Sequence, residues 1–206
     1  MKLVLTGGCG FIGHHFVEHI YINTDWEIII IDKLSYASNG FERLRDIGVI
    51  DSNRVRIFTY DLVNEISDGL VKEIGKGINY IVHMAAETHV DNSIKNPKLF
   101  IVNNIQSTYN LLEYTRKHLS NLDQFFYFST DEVFGPAVGN RLFKEWERHK
   151  PTNPYSASKS AAEQICLSYE NTYKIPLKIV NVMNAFGERQ HVEKFIPLCI
   201  KKILNN

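Results

Sequence analysis

Lys2-Leu3-Val4-Leu5-Thr6-Gly7-Gly8-Cys9-Gly10-Phe11-Ile12-Gly13 is the stretch that decides the fold. A short apolar run ends in spaced glycines, and a periodic apolar segment, Phe11 to Tyr21, follows at once. That order predicts strand, tight turn, helix. Glycines in such a turn permit a sharp bend, close backbone approach to a pyrophosphate and close packing of helix on strand. The helix N-terminus adds amide donors and a positive dipole end. The spacing of Gly7, Gly10 and Gly13 is Gly-x-x-Gly-x-x-Gly, not the commoner Gly-x-Gly-x-x-Gly. Asp32, 19 residues after Gly13, closes the next apolar strand, Glu27 to Ile31. A carboxylate there can accept both ribose hydroxyls of NAD and repels the 2′-phosphate of NADP. The stretch therefore reads as an NAD site.

Working outward, Val55 to Tyr60 reads as a third strand ending at Asp61, and Ile66 to Ile74 as a helix. Tyr80 to Met84 is a fourth strand, running into Ala85-Ala86-Glu87. A long helix starts near Pro97, a good first-turn residue, and runs to about His118. Phe125 to Phe128, Tyr155 to Tyr173 and Leu177 to Val182 complete the series as strand, helix, strand. Strands alternating with helices predict an α/β fold: a doubly wound, Rossmann-like parallel sheet with helices on both faces. One domain is expected over 1–206. The irregular stretch Gly135 to Pro154 is a candidate lid or substrate loop. The helix from Pro97 carries apolar residues on more than one side, which predicts burial against the sheet and against a second surface.

The composition bounds the partners. With 206 residues, 44% apolar and 22% charged, the chain is long enough for one sizeable core. Lys plus Arg equals Asp plus Glu at 23 each, which favours neither nucleic acid nor an anionic membrane. Cys9, Cys166 and Cys199 have no pairing or metal-ligand spacing, and His14-His15 has no suitable partner, so no metal is expected. The N-terminus enters an apolar strand directly and no run is long enough to span a membrane. A soluble cytoplasmic protein is the expectation.

A second cluster carries the chemistry. Ser129-Thr130-Asp131-Glu132 ends the fifth strand, and Asn153-Pro154-Tyr155-Ser156-Ala157-Ser158-Lys159 opens the following helix. Tyr155 and Lys159 are four apart, so they share a helix face. A protonated lysine beside a phenol favours the phenolate, which predicts a base near neutral pH. Moving a phenol from about 10 to about 7 needs ~4 kcal/mol.

Together these residues resemble the extended short-chain dehydrogenase/reductase superfamily, and within it the dTDP-glucose and UDP-glucose 4,6-dehydratases. The resemblance rests on TGGCGFIG at 6–13, DKLSYAS at 32–38, HMAAETHVDNS at 83–93 and NNIQST at 103–108. It continues through STDEVFG at 129–135, NPYSASK at 153–159 and EKFIP at 193–197. The Thr-Asp-Glu triplet discriminates, because related epimerases and the decarboxylase differ at the acidic positions. The resemblance implies catalytic roles for Thr130, Asp131, Glu132, Tyr155 and Lys159. It implies that Gly7, Gly10, Phe11, Ile12, Gly13, Asp32, Lys33, Leu34, Tyr36, Ala37 and Ser38 line the NAD site. Asp61, Leu62, Ala85, Ala86 and Thr88 would join them, with Tyr155 and Lys159 at the nicotinamide end. His89, Thr130, Asn184, Glu193 and Lys194 match substrate-side motifs. Asn92 stands where bacterial dTDP enzymes usually carry Arg, and Ala185, Glu188 and Val192 also depart from the pattern.

The reaction so implied is redox-neutral. Tyr155 takes the proton of the sugar 4-hydroxyl as hydride leaves C4, Thr130 holds that oxygen, and Glu132 removes the C5 proton. Asp131 protonates the departing 6-hydroxyl, and hydride returns to C6. Two adjacent carboxyls suit opposite protonation states. A homodimer formed through the long helix and the helix from Tyr155 is also implied, with a nucleotide sugar as substrate. Members of the family continue past the position of Asn206, so 183–206 is expected to begin a substrate-binding part. The chain is expected to be a fragment or a shortened form that binds NAD and turns over very slowly or not at all. The rival readings are an NAD-binding protein without turnover and a related epimerase or decarboxylase.

Overall fold

The computed structural model describes residues 1–205. Six strands form one parallel sheet: β1 (Lys2–Thr6), β2 (Glu27–Asp32), β3 (Val55–Thr59), β4 (Tyr80–His83), β5 (Gln124–Thr130) and β6 (Leu177–Val182). Their order across the sheet is β3-β2-β1-β4-β5-β6. The chain winds outward one way from β1, then returns and winds the other way from β4. Ligands of such sheets sit beyond the carboxyl ends of the strands, where the winding reverses. Here that point lies between β1 and β4, whose ends meet at Thr6 and His83.

Each face of the sheet has its own core because successive side chains alternate. One face carries Val4, Ile29, Ile31, Ile81, Phe125 and Tyr127. It is covered by α3 (Asp68–Ile74), α6 (Ser107–His118) and α7 (Pro154–Tyr173). The other carries Leu3, Leu5, Ile28, Ile30 and Val82 beneath Val17 of α1 (Phe11–Asn23) and Leu44 of α2 (Glu42–Asp46). Ile28 to Ile31 are all buried, so this strand reads as a continuous apolar run. The doubly wound fold is as expected.

Several elements differ from the sequence reading. The short α2 and α4 (Val90–Lys95) carry too few turns for a periodic signal. The long helix is α5 (Pro97–Ile101), a π-helical turn (Val102–Gln106) and α6 in series. The wide turn absorbs an extra residue and points Asn104 inward, where the side chain is buried. Leu99, Ile101, Val102 and Tyr109 on the same series are exposed. The final helix, α8 (Phe195–Leu204), buries none of its residues. No helix among the described residues is long and apolar enough to cross a membrane.

Candidate active site

The glycine turn is shaped by contacts that leave no room for a side chain. Gly7 has φ +75°, and a Cβ there would lie 2.8 Å from the Ala85 amide nitrogen of the β4 end. At Gly13 a Cβ would fall 2.1 Å from the Gly7 carbonyl oxygen. The N-terminus of α1 that follows has no side-chain cap and no acidic residue in its first turn. Its amide donors are thus left for an anion.

Asp32 faces this turn from the end of β2. Its Oδ2 accepts the Cys9 N–H and its Oδ1 the Leu34 N–H, both at 2.9 Å. Burial raises its pKa, while those two amides, Lys33 and Arg43 pull it down. The loop beyond is pinned by buried Arg43, which donates to the carbonyls of Cys9, Ala37 and Ser38 at 3.1, 2.7 and 2.6 Å. A carboxylate at one end of the turn and open amides at the other fit a ribose joined to a pyrophosphate.

A cleft of about 330 Å³ runs from this turn to Tyr155 and Lys159. Gly7, Gly10, Phe11, Ile12 and Gly13 form one wall, and Asp32, Lys33, Ala37 and Ser38 the next. Asp61 and Leu62 follow β3; Ala85, Ala86 and Thr88 follow β4. Thr130, Asp131, Glu132, Tyr155 and Lys159 close the far end, with Asn184, Glu193 and Lys194 above them. Leu34, Tyr36 and His89 do not line it. Leu34 holds a left-handed backbone (φ +57°) and joins the apolar cluster under α1. Tyr36 and His89 stand outside, around Glu193. Nor does any residue of 135–153 line the cleft, although Asn153 bonds Glu132 at its far end. The loop packs back on the protein through Phe143, stacked on Phe134 with ring centroids 5.6 Å apart.

The floor holds a buried polar chain that the sequence reading missed. The Ala85 N–H donates to Thr6 Oγ1, which lies 2.7 Å from His83 Nδ1. His83 Nε2 is 3.0 Å from Thr108 Oγ1, and that hydroxyl donates to the Asn104 carbonyl at 2.7 Å. Thr108 spends its proton on Asn104, so His83 carries its proton on Nε2 and accepts at Nδ1. Burial, helped by the charge of Lys159, pushes this histidine down to about 3, so the ring is neutral. The Asn104 side chain then bridges the Glu87 backbone, at 2.8 and 3.0 Å, to Ser158 Oγ at 2.9 Å. The π-helical turn thereby ties the cleft wall to the helix bearing Tyr155.

At the far end Thr130 caps a 3-10 turn, Asp131–Phe134, by accepting the Glu132 N–H at 3.3 Å. The turn presents both carboxylates to the cleft. Asn153 caps α7 with a reciprocal box to Ser156 and also donates to Glu132 Oε2 at 3.1 Å. Lys159 Nζ donates to the Phe128 carbonyl at 2.6 Å and lies 4.3 Å from the centre of the Tyr127 ring. The expected near-neutral phenol is not found. Burial pushes Tyr155 up to about 12, Thr130 opposes this, and the charges of Glu132 and Asp131 add to it. The lysine is engaged with β5 and does not offset these effects. At the mouth, the Tyr36 hydroxyl donates to Glu193 at 3.1 Å, and His89 Nε2 lies 3.8 Å from the same carboxylate. Lys194 Nζ bonds Thr88, and burial lowers its pKa. Among the described residues, no three His, Cys, Asp or Glu side chains converge as metal ligands do.

The family model for GDP-mannose 4,6 dehydratase matches residues 4–206. The chain belongs to this family. Within it, the chain is 39% identical to the dTDP-glucose 4,6-dehydratase of Escherichia coli, over 99% of this chain and 60% of that protein. The dTDP-D-glucose 4,6-dehydratase of Dictyostelium discoideum is 36% identical, over 100% and 48%. The crystal structure of a Streptomyces venezuelae dTDP-glucose 4,6-dehydratase with NAD bound superposes with a TM-score of 0.89 at 33% identity. That match covers 100% of this chain and 62% of the other. A Bacillus cereus UDP-glucuronic acid 4-epimerase, also with NAD, gives 0.86 at 26% identity, covering 100% and 63%. The chain thus spans about 60% of the length of the E. coli relative. The resemblance read from the motifs is borne out at the level of the family.

Proposed function

We propose that this chain forms the NAD-binding and catalytic part of a nucleotide-sugar 4,6-dehydratase. The observation that carries the reading is the placement of Thr130, Asp131 and Glu132 beside Tyr155, at the opposite end of one cleft from the glycine turn and Asp32. NAD, when bound, would supply the hydride acceptor and a cationic ring whose charge favours the Tyr155 phenolate. Asp32 would hold its ribose, the α1 N-terminus its pyrophosphate, and Lys159 its nicotinamide side. Tyr155, ionised once the ring's charge is present, accepts the proton of the 4-hydroxyl while Thr130 orients that oxygen. Glu132, steadied by Asn153, removes the C5 proton while Asp131 gives a proton to the leaving 6-hydroxyl; with hydride returned to C6, Glu132 gives the proton back to C5.

The relatives' names favour dTDP-glucose over UDP-glucose as substrate. Both Glu193 and Lys194 line the cleft; released from Tyr36 and Thr88, Lys194 would meet the phosphates and Glu193 a sugar hydroxyl. The exposed apolar residues of α5, the π-helical turn and α6 suit a homodimer contact beside α7. Three free cysteines suit a reducing cytoplasm. Incubation with NAD and each sugar nucleotide, followed by mass analysis, tests the reading. A product lighter by one water supports it. An isomer of unchanged mass would assign an epimerase instead.

A further inference from the structure

Glu163 lies one turn beyond Lys159 on α7 and is 4% exposed. None of the steps proposed above uses it. A buried carboxylate is costly unless paired, and both oxygens of Glu163 are engaged. Oε1 stands 3.4 Å from His149 Nε2, and Oε2 accepts from Asn181 Nδ2 at 3.2 Å. Each partner leads back to the catalytic end. Asn181 Nδ2 is also 3.3 Å from the Thr130 carbonyl, so β6 and the tip of β5 share it. His149 Nδ1 is 2.9 Å from Ser160 Oγ, and its ring stands edge-on to Phe134, the last residue of the turn that bears Asp131 and Glu132. Lys150 then donates its N–H to the Val133 carbonyl at 2.9 Å. The loop 135–153 is thus fastened to the catalytic turn beside Glu163.

The surroundings of Lys159 explain why such a carboxylate is needed. From β5 the ammonium meets the Phe128 carbonyl and the Tyr127 ring. His83 of β4 is close enough to feel its charge, and Tyr155, Glu163 and Cys166 share its helix. Burial pushes the lysine down to about 8, against Cys166 and Glu163. The Cys166 thiol is itself driven far up by burial and is uncharged at neutral pH, which leaves Glu163 as the answering charge.

We propose that Glu163 is a positioning residue that acts through Lys159: buried one helical turn further along α7 and held by His149 and Asn181, its carboxylate keeps the buried lysine charged without touching it. The consequence for catalysis rests on the dehydratase reading; the charge pairing does not. The test follows the Lys159 side-chain NMR signal, assigned by its loss in Lys159→Met, through a pH titration of the free chain. The wild type titrates near 8. Glu163→Gln moves the midpoint down by roughly one unit or more, and Glu163→Asp brings it back toward the wild type. Asn181→Ala removes a donor from the carboxylate but leaves its charge, so the midpoint rises; this variant serves if Glu163→Gln does not fold. An unmoved midpoint in either variant overturns the proposal. In turnover assays the alkaline limb of Glu163→Gln shifts down by the same amount. A uniform loss of rate with an unshifted limb marks a merely structural role and also overturns it. An isomer of unchanged mass in the turnover assay would defeat the dehydratase reading alone, since the lysine titration is read without substrate.

Discussion

Replacing Asp32 by alanine should damage the free chain before any cofactor is added. The carboxylate accepts two backbone amides, Cys9 N–H and Leu34 N–H, each at 2.9 Å. Leaving a buried donor such as the Cys9 N–H unpaired costs about 1–3 kcal/mol and the part-buried Leu34 N–H less, so the two together cost roughly 2–5. Two effects offset part of this. Leu34 can leave its left-handed conformation, which relieves about 1–2 kcal/mol. The buried charge, whose pKa burial has raised, also disappears. The net expectation is a loss of roughly 2–3 kcal/mol in the free chain. Urea unfolding, followed with and without NAD, separates this loss from the loss of binding. In the wild type, NAD at a hundred times its Kd adds about 2.7 kcal/mol. In Asp32→Ala that increment should shrink, as should the preference for NAD over NADP. A variant whose free-chain stability stays within about 0.5 kcal/mol of wild type would refute the claim that Asp32 holds the turn.

Three further outcomes follow from the geometry. Gly13→Ala drives a Cβ to 2.1 Å from the Gly7 carbonyl and should cost about 3 kcal/mol or more, whereas Gly69→Ala, with Ser67 Oγ 3.8 Å away, should be neutral or stabilising by up to ~1 in urea unfolding. Lys159 titrates near 8 in the fold against 10.5 in the unfolded chain. The cost of burying its charge is therefore fully present below pH 8 and fades between 8 and 10.5. Wild type should gain on Lys159→Met by up to about 3 kcal/mol across that window, and parallel urea midpoints would count against it. Glu132→Gln should still allow transient nicotinamide reduction but block water loss, while Tyr155→Phe suppresses the reduction itself; stopped-flow absorbance distinguishes the two.

The parts of the fold legible in the sequence were those with a local physical signature. Leu177–Val182 was read with its observed bounds, and the strand-turn-helix around Gly7 is where the glycines require it. Tyr155 and Lys159 share a face because α7 is a regular helix with a strong N-terminal capping box. What escaped depends on distant contacts. The π-helical turn is a one-residue insertion that leaves no periodic trace, and only the bonds from Asn104 to Glu87 and Ser158 reveal its purpose. Arg43 carries no sequence signal of burial, yet three carbonyls draw it inside. Four-residue spacing says nothing about burial, which pushes the Tyr155 phenol up in the free chain while the lysine bonds β5. Glu163 was passed over for the same reason: its partners come from β6 and a loop far away in sequence.

The central claim is that the cleft joins an NAD site to a base, a hydroxyl and two carboxyls that together move hydrogen from C4 to C6 and expel water. It is tested most directly with dTDP-glucose deuterated at C4, mixed with the NAD-loaded chain at comparable concentrations so that even one slow turnover is seen. The account predicts a product lighter by one water with the deuterium at C6. Deuterium retained at C4 of a sugar of unchanged mass, or water loss that proceeds equally without NAD, would contradict it.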